Sequence, residues 1–174
     1  KYIPIDENHP QKPINPYGET KLIIEKMMDE LDEQYGLKSV RLRYFNVVGA
    51  NGLIGEEHNP ETHLIPNVLK ASNEDRVFYL FGDDYNTEDG SCIRDFINVV
   101  DLAKAHVVAV KRMLENKSEK SVEIFNLGTG RGVSVFELVS AFEKATGVKV
   151  PFEVAPRRDG DIEKVWADTS YANE

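Results

Sequence analysis

NPYGETKLIIEKMMDELDEQYGLKSVRLRYFNVVGA, residues 15–50, passes from one periodicity into another. Proline restricts the residue before it to extended backbone and suits the first turn of a helix, so a helix begins at or just after Pro16. From Tyr17 to about Gln34, the apolar residues Leu22, Ile23, Ile24, Met27, Met28 and Leu31 recur at helical spacing. Gly36 stands where a left-handed C-terminal cap belongs. Beyond it SVRLRYFNVVG reads as a strand, with Val40, Leu42 and Tyr44 alternating against Arg41 and Arg43. A helix delivered straight into a strand points to an α/β arrangement.

The rest of the chain repeats the pattern. LIPNVLKAS reads as a short helix, RVFYLFG as a strand and CIRDFINVV as a further short strand. Asp101 is expected to cap LAKAHVVAVKRML, and VEIFNLG is another strand. Ser134 and Glu137 form a capping box that opens VFELVSAFEKAT, which Gly147 closes before a last strand, KVPFEVAP. Strands alternating with helices of ten residues or more are the α/β signature. GANGLIGEEHNPETH, about fifteen residues between two such elements, is a loop of a length that is often functional.

Composition narrows the function classes. The 174 residues carry a net charge of −9, which argues against nucleic acid or an anionic membrane as the main partner. Cys92 is the only cysteine, so an internal disulfide is impossible and a reducing, cytoplasmic setting is the natural expectation. No apolar run approaches the length of a membrane span.

Tyr17 and Lys21 fall one turn apart on one face, at the start of the first helix. A neighbouring ammonium stabilises a phenolate, as does the positive end of a helix. Spacing alone leaves this pair no more than a surface feature, because a tyrosine and a lysine four apart arise often by chance. Arg94, Arg157 and Arg158 lie in loop contexts, and an arginine's planar fork suits phosphate, although each has an aspartate close by in sequence. His58 and His63 share the long loop without cysteine or helical H-x-x-x-H spacing, so no metal site is expected. GTGRG, residues 128–132, lacks the G-x-G-x-x-G spacing and reads as a turn before the capped helix.

With these pieces in place, the chain resembles the UDP-glucose 4-epimerase family, within the extended short-chain dehydrogenase/reductase superfamily. NPYGETK, RYFNVVGA, ETHLIP, FGDDYNTEDGSCIRDFINVVDLAKAH, FNLGTGRGVSV and APRRDGD carry the resemblance, which covers essentially the whole chain. It implies part of a Rossmann-type doubly wound parallel sheet plus a smaller α/β substrate-binding domain. Residues 1–48 would be the C-terminal part of an NAD-binding Rossmann domain. Residues 49–174 would mainly bind a nucleotide-sugar, with about 92–115 returning to the Rossmann domain. The implied cofactor is NAD, the implied substrate a UDP-sugar, and the implied assembly a homodimer.

By the same resemblance, Tyr17 moves the proton of the sugar 4-hydroxyl, while Lys21 supports it and reaches the nicotinamide ribose. Tyr44 borders the cofactor. Arg94 and Arg158 grip the phosphates; Asn46, His63, Leu64 and Phe81 line the nucleotide-sugar site, and Asp161 binds hydroxyls there. Val165 matches a position that limits the sugar pocket, and a small residue there implies acceptance of N-acetylated sugars.

Two family elements are missing: a G-x-x-G-x-x-G loop after an opening strand, and a Ser/Thr-bearing strand ahead of Tyr17. The resemblance therefore implies an internal fragment of an enzyme about twice as long. Alone, it is expected neither to epimerise nor to be stable, since parallel strands would have unpaired edges. Two rival readings are another NAD-dependent nucleotide-sugar enzyme of the same superfamily (a UDP-N-acetylglucosamine 4-epimerase, a 4,6-dehydratase or a decarboxylase), and a nucleotide-sugar-binding module without catalysis.

Overall fold

The computed structural model describes residues 2–74 and 76–174. The chain runs α1 (Pro16–Tyr35), β1 (Ser39–Tyr44), β2 (Asn46–Val48), α2 (Leu64–Asn73), β3 (Phe78–Phe81), β4 (Ile93–Arg94) and β5 (Phe96–Asn98). It continues through α3 (Val99–Leu114), β6 (Val122–Leu127), β7 (Val133–Ser134), α4 (Val135–Thr146) and β8 (Phe152–Ala155), and ends in a 3-10 turn at Tyr171–Asn173. The α/β class expected from the sequence is what forms.

Local signals act where they were expected. The Asn15 side chain accepts a hydrogen bond from the Gly18 backbone N–H at 2.8 Å and caps α1, with Pro16 in its first turn. Gly36 closes α1 in the left-handed conformation, and the reciprocal Ser134–Glu137 box opens α4. One expectation fails: Asn98, not Asp101, caps α3, accepting from the Val100 N–H at 2.8 Å. Asp101 lies inside the first turn and pairs with Lys104 at 3.1 Å.

Four two-stranded ladders form among the described residues: β1–β6, β2–β5 and β3–β8 are parallel, and β4–β7 is antiparallel. The long strand read over SVRLRYFNVVG divides because it changes partner. Through Tyr44 it pairs with β6, and the Phe45 N–H still reaches Leu127; the Asn46 N–H then donates to the Asp95 carbonyl and β2 follows β5. CIRDFINVV divides likewise, with β4 against β7 and β5 against β2, and α3 starts at Val99. The switches occur around Asp95, which is wholly buried.

The apolar core sits between α2, β3, β8 and α4. Val68, Ala71, Phe78, Leu80, Val139 and Val150 are buried together, with Leu64, Val135 and Phe142 packed against them. Helix α1 differs. Its apolar residues follow the helical period, yet none is buried, and Ile23, Ile24, Met27 and Leu31 face solvent. Its inner face is polar. Arg41, its side chain only 6% exposed, pairs with Asp29 at 2.7 Å, and Arg43 Nε donates to Glu25 at 2.8 Å. Ser121, beside β6, donates to Asp32. Among the described residues, no helix is long and apolar enough to cross a membrane.

Candidate functional site

Alternation along β3 turns Phe78 and Leu80 into the core and Tyr79 and Phe81 outward. The outward face borders a cleft of about 590 Å³, walled also by α2, β4 and the turn after β8. The cleft gathers Asn46, His63, Leu64, Phe81, Arg94, Arg158 and Asp161, all of which the sequence reading placed in one binding site.

Its charge is organised around Asp161. One carboxylate oxygen accepts from Arg158 Nε at 3.1 Å, while the other lies 3.6 Å from Arg94 Nη2. Arg94 is also tethered by Nη1, which donates to the Ile93 carbonyl at 2.9 Å. The Arg158 guanidinium lies 4.7 Å from the Phe81 ring centroid, within cation–π range. Two guanidinium groups sharing one carboxylate leave an excess positive charge on a wall that includes an aromatic face. Such a wall suits an anionic group attached to a flat ring.

The neighbouring arginine is used differently. Arg157 turns away, with Nε on Asp84 at 2.6 Å and its guanidinium 4.1 Å from the Tyr85 ring centroid. That hydrogen bond holds the Asp84 carboxyl below the usual carboxylate range. Burial pushes the Tyr85 hydroxyl up to about 12, beside the buried Cys92. Elsewhere in the cleft lining, the Glu61 carboxylate accepts from the His63 N–H at 2.8 Å and from the Thr62 N–H, which holds its carboxyl below the ordinary range.

The cleft also recruits residues the sequence reading did not name, among them Asn67, Lys70, Arg76, Cys92 and Phe96. His63, Leu64, Asn67, Lys70 and Ala71 line it together, the three-and-four spacing of one helix face. That spacing on α2 was available in the sequence once His63 had been singled out. Arg76 follows the helix and carried no such signal.

Other candidates lie outside the cleft lining. Lys21 Nζ stands 5.0 Å from the Tyr17 ring centroid, and Tyr17 is 71% exposed. Among the described residues, neither the phenol oxygen nor the ammonium has a hydrogen-bond or ion-pair partner. Tyr44 is exposed at the end of β1, its ring 6.2 Å from that of His106. Val165 is half-buried beside β4, its N–H donating to the Ile93 carbonyl at 3.1 Å.

The GTGRG turn has its own anion. Asp95 accepts from the Thr129 N–H at 2.8 Å, the Thr129 hydroxyl at 2.7 Å, the Gly130 N–H at 3.1 Å and the Ala167 N–H at 3.2 Å. A Cβ on Gly128 would stand 2.4 Å from this carboxylate, so the approach requires glycine. The loop's amides are therefore occupied by a side chain, as a turn's would be.

The model of the NAD dependent epimerase/dehydratase family matches residues 1–128. The chain belongs to that family. Curated relatives of this epimerase/dehydratase member include the UDP-glucose 4-epimerase of Lactobacillus helveticus, 49% identical over 99% of this chain and 52% of the relative. The UDP-glucose 4-epimerase of Halalkalibacterium halodurans is 52% identical over 98% of the chain and 51% of the relative. The family member thus spans about half the length of the curated relatives it matches.

Solved structures agree. The Brucella ovis UDP-glucose 4-epimerase in complex with NAD superposes with a TM-score of 0.91 at 47% identity, covering 99% of this chain and 53% of that one. The Bifidobacterium longum UDP-glucose 4-epimerase in complex with NAD+ and UDP gives 0.91 at 41% identity, over 99% and 52%. The fold is that of these Rossmann-type epimerases.

Proposed function

We propose that the full-length protein interconverts UDP-glucose and UDP-galactose with bound NAD, an isomerase of galactose metabolism. The observation that carries this reading is the cleft in which Arg94 and Arg158 share Asp161 beside Phe81. Relatives with the same fold bind NAD, and one of them binds UDP as well.

Tyr17 and Lys21 fit the edge of such a cofactor: a phenol and an ammonium side by side, exposed, with their polar ends uncommitted among the described residues. Tyr44 joins them at that edge. When bound, NAD supplies the hydride acceptor and donor for sugar C4. The chain's own residues do the rest. The Tyr17 oxygen takes the proton of the 4-hydroxyl and later returns it, and the Lys21 ammonium favours the phenolate and reaches a ribose hydroxyl. Arg94 and Arg158 hold the diphosphate while the sugar stays free to present its other face. Asp161 accepts from hydroxyls, and Asn46, His63, Leu64 and Phe81 surround the nucleotide end.

In this reading residues 1–48, together with about 92–115, belong to the cofactor-binding domain, and the remainder of 49–174 to the nucleotide-sugar region. The working protein is a cytoplasmic homodimer. Val165 is small, so the N-acetylated pair, UDP-N-acetylglucosamine and UDP-N-acetylgalactosamine, is accepted as well. Assays of both substrate pairs on the full-length protein, with bound NAD quantified, test the proposal. Conversion of UDP-galactose is the expected result. A protein that retains NAD and binds UDP yet converts nothing is a binding module, and turnover confined to the hexose pair removes the role given to Val165.

A further inference from the structure

The loop of residues 49–63, read from sequence as holding no metal site, folds so that Glu56, His58 and His63 converge, with one donor atom from each within 4.8 Å of the others. His58 Nε2 lies 2.6 Å from Glu56 Oε1, His63 Nδ1 lies 3.5 Å from the same oxygen, and the two imidazole centroids are 4.6 Å apart. A second carboxylate completes the group. Glu61, its side chain 5% exposed, takes the Nδ1 side of His63 at 2.9 Å.

We propose that Glu56, His58 and His63 form a binding site for a divalent transition-metal ion of the zinc class, and that its occupancy is linked to the adjoining cleft through His63.

The donor set selects the metal. Two imidazoles and one carboxylate, with a fourth position open, suit Zn²⁺, Co²⁺, Ni²⁺ or Cu²⁺, whereas Ca²⁺ and Mg²⁺ want oxygen throughout. Bonds of about 2.1 Å in a tetrahedral site place donor atoms roughly 3.4 Å apart. The donor atoms here lie within 4.8 Å of one another, with His58 Nε2 and Glu56 Oε1 at 2.6 Å. The widest separation must therefore close and that pair must open, in a segment whose single backbone bridge joins Asn51 and Ile54. Glu61 on Nδ1 of His63 is the carboxylate–histidine arrangement that orients a ligating ring. The nitrogen it leaves for an ion is Nε2, whereas the one now 3.5 Å from Glu56 Oε1 is Nδ1, so the ring must pivot as the site fills.

His63 faces both ways. It lines the cleft and stands immediately ahead of α2, which it leaves without a side-chain cap. An ion that draws it toward His58 alters the cleft wall, and linkage requires that a cleft ligand alter ion affinity by the same factor. This second half rests on the function proposed above.

The test is a titration of the full-length protein, stripped of metal by chelation, with Co²⁺ and then Zn²⁺. One equivalent of Co²⁺ is expected to bind with visible absorption, which Zn²⁺ displaces. His58→Ala and Glu56→Gln, both on an exposed loop, are each expected to weaken binding at least tenfold. No saturable binding, or binding unchanged in both variants, overturns the site. UDP is the second probe: Zn²⁺ should shift its dissociation constant several-fold in the parent and not in His58→Ala. A shift of equal size in both, or none in the parent, overturns the linkage. Failure of the metal-free protein to bind UDP at all defeats the proposed function while the titration still decides the ion site.

Discussion

Helix α4 sinks Val139 into a cluster with Val68, Ala71, Phe78, Leu80 and Val150, whereas α1, 20 residues long against 12, buries none of its own side chains. Both helices carry apolar residues at helical spacing. The difference lies in what each meets. Helix α4 meets the apolar face of β3 and the residues flanking β8, and burying methylenes there contributes about 0.8 kcal/mol each. Helix α1 meets Arg41, Arg43 and Ser121, which hold Asp29, Glu25 and Asp32. An amphipathic pattern therefore says that a helix has two faces, and says nothing of which one the rest of the chain receives. The cored region walls the cleft, and the polar-bound region displays Tyr17 and Lys21.

The contrast predicts a division of labour, and the largest effect should come from the exposed side. Tyr17→Phe in the full-length protein should lower kcat for epimerisation by about 10²–10⁴-fold with KM nearly unchanged; parental turnover would remove Tyr17 from the chemistry. In the cored region, Leu80→Ala, at a position only 1% exposed, should cost about 2–5 kcal/mol in urea unfolding. If Ile24→Ala on α1 cost as much, the two regions would not differ as described. Arg94→Ala should weaken UDP binding roughly tenfold to a hundredfold by calorimetry, the loss of a charge-assisted contact. Unchanged affinity would take Arg94 out of the cleft's phosphate grip.

Acid should also act on the polar-bound region. The Arg43 hydrogen bond holds the Glu25 carboxyl below its ordinary value of 4.5. A lowered value means that the stabilising pair is complete above about pH 4.5 and is lost as pH falls through the folded-state value beneath it. Glu25→Gln should remove about 1 kcal/mol of this acid-dependent stability, after solvent screening. Urea midpoints compared at neutral and acidic pH would show it, and identical pH slopes in both proteins would refute it. In the 174-residue chain, the smallest effect belongs to Ile24→Ser, where a side chain 49% exposed should change stability by less than about 0.5 kcal/mol.

What could be read beforehand follows the range of the interactions. Pro16, Gly36, Ser134 with Glu137, and Gly147 act on backbone within a turn of themselves, so sequence reports them directly. Strand division at Phe45 depends on β6 ending and β5 beginning, which no local window contains. Asn98 displaced Asp101 as a cap because β5 delivers the chain to the helix earlier than propensity alone would place it. Within the site, Asn46, His63, Leu64, Phe81, Arg94, Arg158 and Asp161 were reached through the resemblance and then found together. Lys70 was one helix face away from being found. Glu56 joins His58 and His63 only because the loop curls back, which their spacing did not announce.

Arg94 and Asp95 stand back to back on extended backbone: the base looks into the cleft, and the acid rivets the GTGRG turn and Ala167 behind it. Sliding this short segment along β7 by a single residue would swap them. A carboxylate would then confront any incoming phosphate, and a guanidinium would be stranded among backbone amides. Misalignment here is thus punished twice by charge, so a two-residue ladder can be held in register by electrostatics that its own length could never supply.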